Sequence, residues 1–227
     1  MSVDPALVNA LKAALIGAKS IGYNDQAKAH DVYEGYALTL LVRAARDEGA
    51  SVTYHNGNER RVRDLKFRIA PGLLSGDASF THIQLEFTPS VEPLELHIGI
   101  MGRGYSTVFH ECDVAILPRH VGHHGRHGRP WPLTAALASI ECKFYAKGVP
   151  LGMARAALGL ACDGAKGLVL ASNKTSTSVA TLLSHHHHWH WAHEVSFEGN
   201  LHPGSHEEHS AIRSFRRYFR DWVHEHT

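Results

Sequence analysis

"HECDVAIL", residues 110–117, and "SIECKFY", residues 139–145, are the two stretches on which the reading of the fold turns. Side chains on a strand alternate between faces. The first stretch therefore sets Glu111, Asp113, Ala115 and Leu117 on one face and Cys112, Val114 and Ile116 on the other. In the second, Ser139, Glu141, Lys143 and Tyr145 oppose Ile140, Cys142 and Phe144. Each strand has an apolar side and a charged side. If the two are neighbours in a sheet, Asp113 and Glu141 face one another with Lys143 beside them. Cys112 and Cys142 are expected together in the core.

Outward from these strands the chain alternates strands and helices. On the N-terminal side, "LELHIGIM" runs through "GRGYS" into the first strand, which predicts an antiparallel hairpin. "THIQLEF" and "LKFRIA" alternate in the same way. Further back, Val32, Tyr33, Tyr36, Leu40 and Leu41 recur at helical spacing and predict a helix over residues 25–46, with Gly49 as its C-terminal cap. Asp4-Pro5 opens an earlier helix. On the C-terminal side, "GVPLGMARAALGLACDG" reads as a helix, "KGLVLASN" as a buried strand and "TSTSVATLLSHH" as a helix. A short strand near "HWAHEVS" and a basic helix over residues 207–224 follow. Residues 118–132, "PRHVGHHGRHGRPWP", lack periodicity and are expected as an exposed mobile loop. The class is α/β, a mixed central sheet flanked by helices, with residues 1–227 as one domain.

Composition sets limits on function. Lys+Arg number 23 and Asp+Glu 22 in 227 residues, so bulk charge does not coat the chain with nucleic acid, although a local basic groove is allowed. Three cysteines without a CxxC pair argue against a disulfide framework or a thiolate zinc site. No opening run has the form of a secretory signal and no apolar run reaches membrane-spanning length, so a cytoplasmic protein without a membrane partner is expected. The 20 histidines are the unusual number.

Two facing carboxylates are costly unless a cation neutralises them. Oxygen ligands of this kind suit Mg²⁺ or Mn²⁺, and the backbone carbonyl of Cys142 lies between the two side chains as a further ligand. Lys143 is placed to orient or deprotonate a water or to hold a phosphate. An aspartate on an apolar strand, Glu-x-Lys on the next, then a helix and a buried strand resemble the PD-(D/E)XK nuclease superfamily. The resemblance spans roughly residues 25–173, leaving a C-terminal strand and helix as an extension.

The resemblance implies a restriction-endonuclease-like core and metal-dependent endonuclease activity on DNA, with double-stranded DNA as partner. It maps Asp113, Glu141 and Lys143 onto the family's catalytic positions and Glu34 onto its helix glutamate. Cys112 stands where the name-giving proline would be. Glu111 is a further candidate, behind the first ligands or in their place. Arg155 on the following helix, Arg126 and Arg129 in the 118–132 segment, and residues 60–68 are candidates for phosphate contact.

Two alternatives stay open: a non-catalytic nucleic-acid-binding module with the same fold, and a histidine-based transition-metal-binding protein using "HHHHWHWAHE", residues 185–194. Against the second, successive helical residues project about 100° apart and do not converge on one ion.

Overall fold

The computed structural model describes residues 5–22, 28–186 and 195–227. In chain order the elements are α1 (Pro5–Ala14), β1 (Ser20–Gly22), α2 (Ala29–Asp47), β2 (Ser51–Asn56), β3 (Asp64–Lys66), β4 (Thr81–Glu86), β5 (Leu94–Arg103) and β6 (Phe109–Pro118). They continue with α3 (Arg119–Arg126), a 3₁₀ turn at Leu133–Ala135, β7 (Ala138–Lys143), α4 (Leu151–Cys162), β8 (Leu168–Ser172), α5 (Thr177–His186), β9 (Ser196–Glu198) and α6 (His206–His226).

Seven strands form one mixed sheet in the order β2-β4-β5-β6-β7-β8-β9, while β1 and β3 pair separately in parallel. The first five of the seven pair antiparallel, as hairpin-linked strands can. The β7–β8 and β8–β9 pairs are parallel, with α4 and α5 as the crossovers. The α/β class and the mixed sheet with helices on both faces are as the hydrophobic periodicity predicts.

Two cores sit on opposite faces of the sheet. One packs α1, α2 and α6 over Leu96, Val114, Ile140 and Val169; its largest fully buried side chains include Tyr33, Tyr36, Phe215 and Phe219. Burying each of the two phenylalanines is worth about 1.5–3 kcal/mol. The other core packs α3, α4 and α5 over Cys112, Ala115, Leu117, Leu168 and Leu170. Helix α2 lies between the sheet and α6, and its C-terminal cap is tied there. Glu48 accepts from Arg216 (2.6 Å) and Arg220 (2.9 Å) of α6, and Gly49 follows at φ +87, a conformation that suits glycine.

Three expectations need correction. Residues 118–132 are not a mobile exposed loop: α3 occupies the first part, and Trp131 is buried. Helix α3 is held by a buried ion pair, described below, rather than by an apolar stripe, so hydropathy does not reveal it. Of the "LKFRIA" run only Leu65 and Lys66 belong to a strand, β3, and the Phe67 and Arg68 that follow are both buried, which departs from the alternation. Finally, Cys112 and Cys142, both free and buried, sit in different cores.

The cysteine separation has a local cause. On β5, Ile98 belongs to the α2 side and Ile100 to the α4 side; on β6, Val114 and Cys112 divide likewise. The paired register runs from Ile98↔Val114 to Ile100↔Cys112, with Gly99 and Asp113 between. Gly99 has φ +60, and its carbonyl accepts from the Gly72 N–H, while Met101 N–H returns a bond to Gly72 O. Each strand turns over at that one residue. Asp113 is consequently directed neither up nor down but sideways, toward β7.

Candidate active site

Asp113 sits in the gap that opens beyond the β6–β7 ladder, whose pairs are Val114↔Ile140, Ala115↔Ser139 and Ile116↔Ala138. The next donor on β7, the Cys142 N–H, bonds to Asp113 Oδ2 at 2.6 Å. A side chain thus replaces a backbone carbonyl in the sheet, which satisfies a buried donor and locks the carboxylate in place. Lys143 Nζ donates to Asp113 Oδ2 at 3.0 Å and to Glu141 Oε2 at 3.1 Å. The two carboxylates therefore share one ammonium, on the same side of the gap.

Two clefts, of about 410 and 200 Å³, meet at this cluster, with Glu111 and Lys143 lining both. The larger is walled by Ile69–Pro71 and Gly99 on one side and by His30, Asp31 and Glu34 of α2 on the other. The smaller adds His110 and Glu141 and is closed by Met153, Ala156 and Ala157 of α4. Across the two, Asp31, Glu34, Glu111, Asp113 and Glu141 face a single lysine.

That imbalance shows in the protonation equilibria. Burial first, then the charge of Asp113, pushes the Glu141 carboxyl up to about 7. Burial and the charges of Asp113, Asp31 and Glu111 push Glu34 well above the usual carboxylate range. Glu111 is raised for the same two reasons, burial and then Asp113. Burial acts to lower Lys143, but Asp113 and Glu141 outweigh it and hold the ammonium charged.

The donor set fits a hard divalent cation. It is made of oxygens, and burial first, then crowding by neighbouring carboxylates, pushes its acids toward the neutral form, which a bound cation would reverse. Among the described residues no three His, Cys, Asp or Glu side chains already surround a single point. The Lys143 ammonium holds the position between Asp113 and Glu141.

Not every candidate is gathered here. Cys142 lines the larger cleft, but its N–H, not its carbonyl, is the group bonded to Asp113, and its thiol packs in the core with α2. Arg155 is exposed on α4 and lines neither cleft. Arg129 is exposed beyond α3 and also lines neither. Arg126 must be corrected outright. Its side chain is only 4% exposed and is bound to Glu95 and Glu59, so it is not available to a phosphate. Arg68 is likewise buried, donating to Leu73 O and lying 4.3 Å from the Phe80 ring centre.

Residues that pattern reading passed over also line the site. His30 and Asp31 stand one turn before Glu34 on α2, and Asp31 is occupied in capping that helix through the Lys28 N–H. His110 pairs with Asp163 at the end of α4 (2.6 Å), and the same carboxylate accepts from the Ser106 amide (2.6 Å). The available signal was position: His110 is adjacent to Glu111, and His30 and Asp31 precede Glu34. Only His185 and His186 of the residue 185–194 run lie within the described residues, at the end of α5. The remainder of that expectation falls outside them.

Comparison with family models, with curated proteins and with solved structures finds no match to this chain. Among the described residues, no helix is long and apolar enough to cross a membrane.

Proposed function

We propose that the protein is a metal-dependent endodeoxyribonuclease with a restriction-endonuclease-like core, cutting at the Asp113–Glu141–Lys143 cluster. The observation that carries this reading is the bridging of Asp113 and Glu141 by Lys143 Nζ, at 3.0 and 3.1 Å, in a cleft with an unbalanced excess of carboxylates. A surface that met DNA with those acids alone would repel it. The arrangement makes chemical sense once a divalent cation joins it.

Asp113 and Glu141 would hold Mg²⁺ or Mn²⁺, with Glu34 and Glu111 as further oxygen donors. When bound, the ion supplies positive charge to the phosphate oxygens and makes water more acidic. The chain's own residues do the rest. Lys143 is held as an ammonium by its two carboxylates, which suits it to hold a phosphate oxygen and not to act as a base. Glu141, which burial and the charge of Asp113 push upward in the metal-free chain, would be returned to the carboxylate form by the ion's charge and would serve as its ligand. The Cys142 amide keeps Asp113 oriented while this occurs.

The test is incubation of the protein with supercoiled plasmid, with and without Mg²⁺, alongside a DNA mobility-shift assay. Nicking that requires the ion supports the proposal. Retardation of DNA without cutting in either Mg²⁺ or Mn²⁺ would overturn it in favour of a non-catalytic binding module.

A further inference from the structure

Helix α3 exposes three histidines, His120, His123 and His124, and its C-cap residue His127 is exposed as well. His123 and His127 are four residues apart, so they lie on one side of the helix, one turn above the other. Their ring centres are 4.3 Å apart.

The hydrogen bonds on these rings are informative. His123 Nδ1 is 2.6 Å from Glu59 Oε1, and His127 Nδ1 is 2.9 Å from the His123 carbonyl oxygen. A carbonyl oxygen only accepts. So does the Glu59 carboxylate, whose Oε1 also accepts from Arg126 Nη2 at 3.0 Å. Both Nδ1 atoms therefore carry a proton, so that in the neutral imidazoles both Nε2 atoms offer a lone pair. Metal-binding histidines are characteristically fixed this way, the second nitrogen donating to a carboxylate or a backbone carbonyl.

We propose that His123 and His127 form a two-imidazole site for a divalent transition-metal ion of the Zn²⁺, Ni²⁺ or Cu²⁺ class, with Glu59 as the residue that positions His123. Nitrogen donors select these ions over Mg²⁺. Two protein ligands leave the other coordination positions to water or to a further ligand, in keeping with the absence of any three-residue metal cluster among the described residues. The site is separate from the acidic cleft, none of whose lining residues it shares.

An ion clamping these two residues would also staple the last turn of a short helix weakened by Gly122 and Gly125. Those glycines are there for close approach: a Cβ at Gly122 would collide with the Glu95 carboxylate, and one at Gly125 would meet Leu74 Cδ1 at 2.5 Å. Helix propensity was given up for packing, and a metal clamp between successive turns offsets the loss.

The experiment is a calorimetric Zn²⁺ titration of the full chain in which His185, His186, His187 and His188 are all replaced by Asn, so that the internal histidine run does not contribute. That protein should bind one Zn²⁺, with Mg²⁺ failing to compete. Adding His123→Asn and His127→Asn should lower the affinity at least about 10-fold, and Glu59→Gln alone should lower it about 10-fold. As a readout independent of folding, substoichiometric Cu²⁺ should broaden the His123 and His127 imidazole resonances of the parent protein first. No Zn²⁺ binding, an affinity indifferent to residues 123 and 127, or broadening centred elsewhere would each overturn the proposal. Plasmid cleavage in Mg²⁺ is a separate result, so failure here and failure of the nuclease reading remain distinguishable.

Discussion

At the scale of single residues, Lys143 is the most exacting position. It is the one lysine in the acidic clefts and is hydrogen-bonded to both Asp113 and Glu141. On the proposed function, Lys143→Ala should reduce cleavage at least about 100-fold, since it would remove a fixed positive charge from the proposed phosphate site. It should also cost about 1–3 kcal/mol of stability at pH 8, and less at pH 6, where the acids left behind can take up protons. Parallel nicking assays and urea unfolding of the two proteins check both outcomes. Glu141 makes a prediction of opposite sign to that of a salt-bridged acid. Its folded pKa is raised from 4.5 to about 7, so the folded chain binds the extra proton in that window. The stability it contributes is fully present below pH ~4.5 and is lost as pH rises through about 7. The stability difference between wild type and Glu141→Gln should therefore shift against the wild type across that window, by about 3 kcal/mol, in metal-free buffer. A difference independent of pH would mean that Glu141 is not crowded by its neighbours.

At the scale of elements, the site depends on one irregularity in the β5–β6 pair. Alternation in "HECDVAIL" does place Glu111 and Asp113 near one another, and Glu-x-Lys on the next strand was readable from spacing alone. What alternation does not convey is the turnover at Gly99, which sends Cys112 to the opposite core from Val114 and directs Asp113 into the plane of the sheet. A lone glycine in a strand hints at such a break without giving its sense. Gly99→Ala should lower stability by about 1–2 kcal/mol, because a Cβ is strained at φ +60 and would meet Arg68 Cβ at 3.2 Å. The strain acts beside Asp113, so the variant should lose cleavage activity as well; thermal unfolding and nicking rates measured together check this. Helix α3 escaped pattern reading for a different reason. Its sequence is dominated by Gly, His and Arg, and what folds it is a polar contact with β5 that no periodicity records.

At the scale of the molecule, that contact is one of the larger commitments in the fold. Glu95, fully buried on β5, accepts from Arg126 at 2.6 and 2.9 Å and from His97 Nε2 at 3.0 Å. His82 stacks on His97, with ring centres 5.3 Å apart. Burial alone would raise the Glu95 pKa, but His97 and Arg126 more than reverse that and hold it below the usual range. Arg126→Met should therefore cost about 3–5 kcal/mol by leaving a buried carboxylate without its main partner, and Glu95→Leu in the same chain should recover much of that cost. Urea unfolding of the single and double variants checks the coupling. The two-sided α/β architecture was legible in the hydrophobic periods of the helices and strands, because apolar burial dictates both. This network was not legible, since a buried arginine and a surface arginine look alike in a sequence, and Arg126 was accordingly read as a candidate for phosphate contact.

On the proposed function, Asp113 and its neighbours hold a divalent ion for phosphodiester cleavage. That role is tested most directly by the initial rate of plasmid nicking as a function of Mg²⁺ concentration, for wild type and Asp113→Asn. Wild type should show a rate that rises from zero and saturates with Mg²⁺, and the variant a loss of at least about 100-fold at every concentration. Equal rates for the two proteins, or no nicking by the wild type at any Mg²⁺ or Mn²⁺ concentration, would contradict that role.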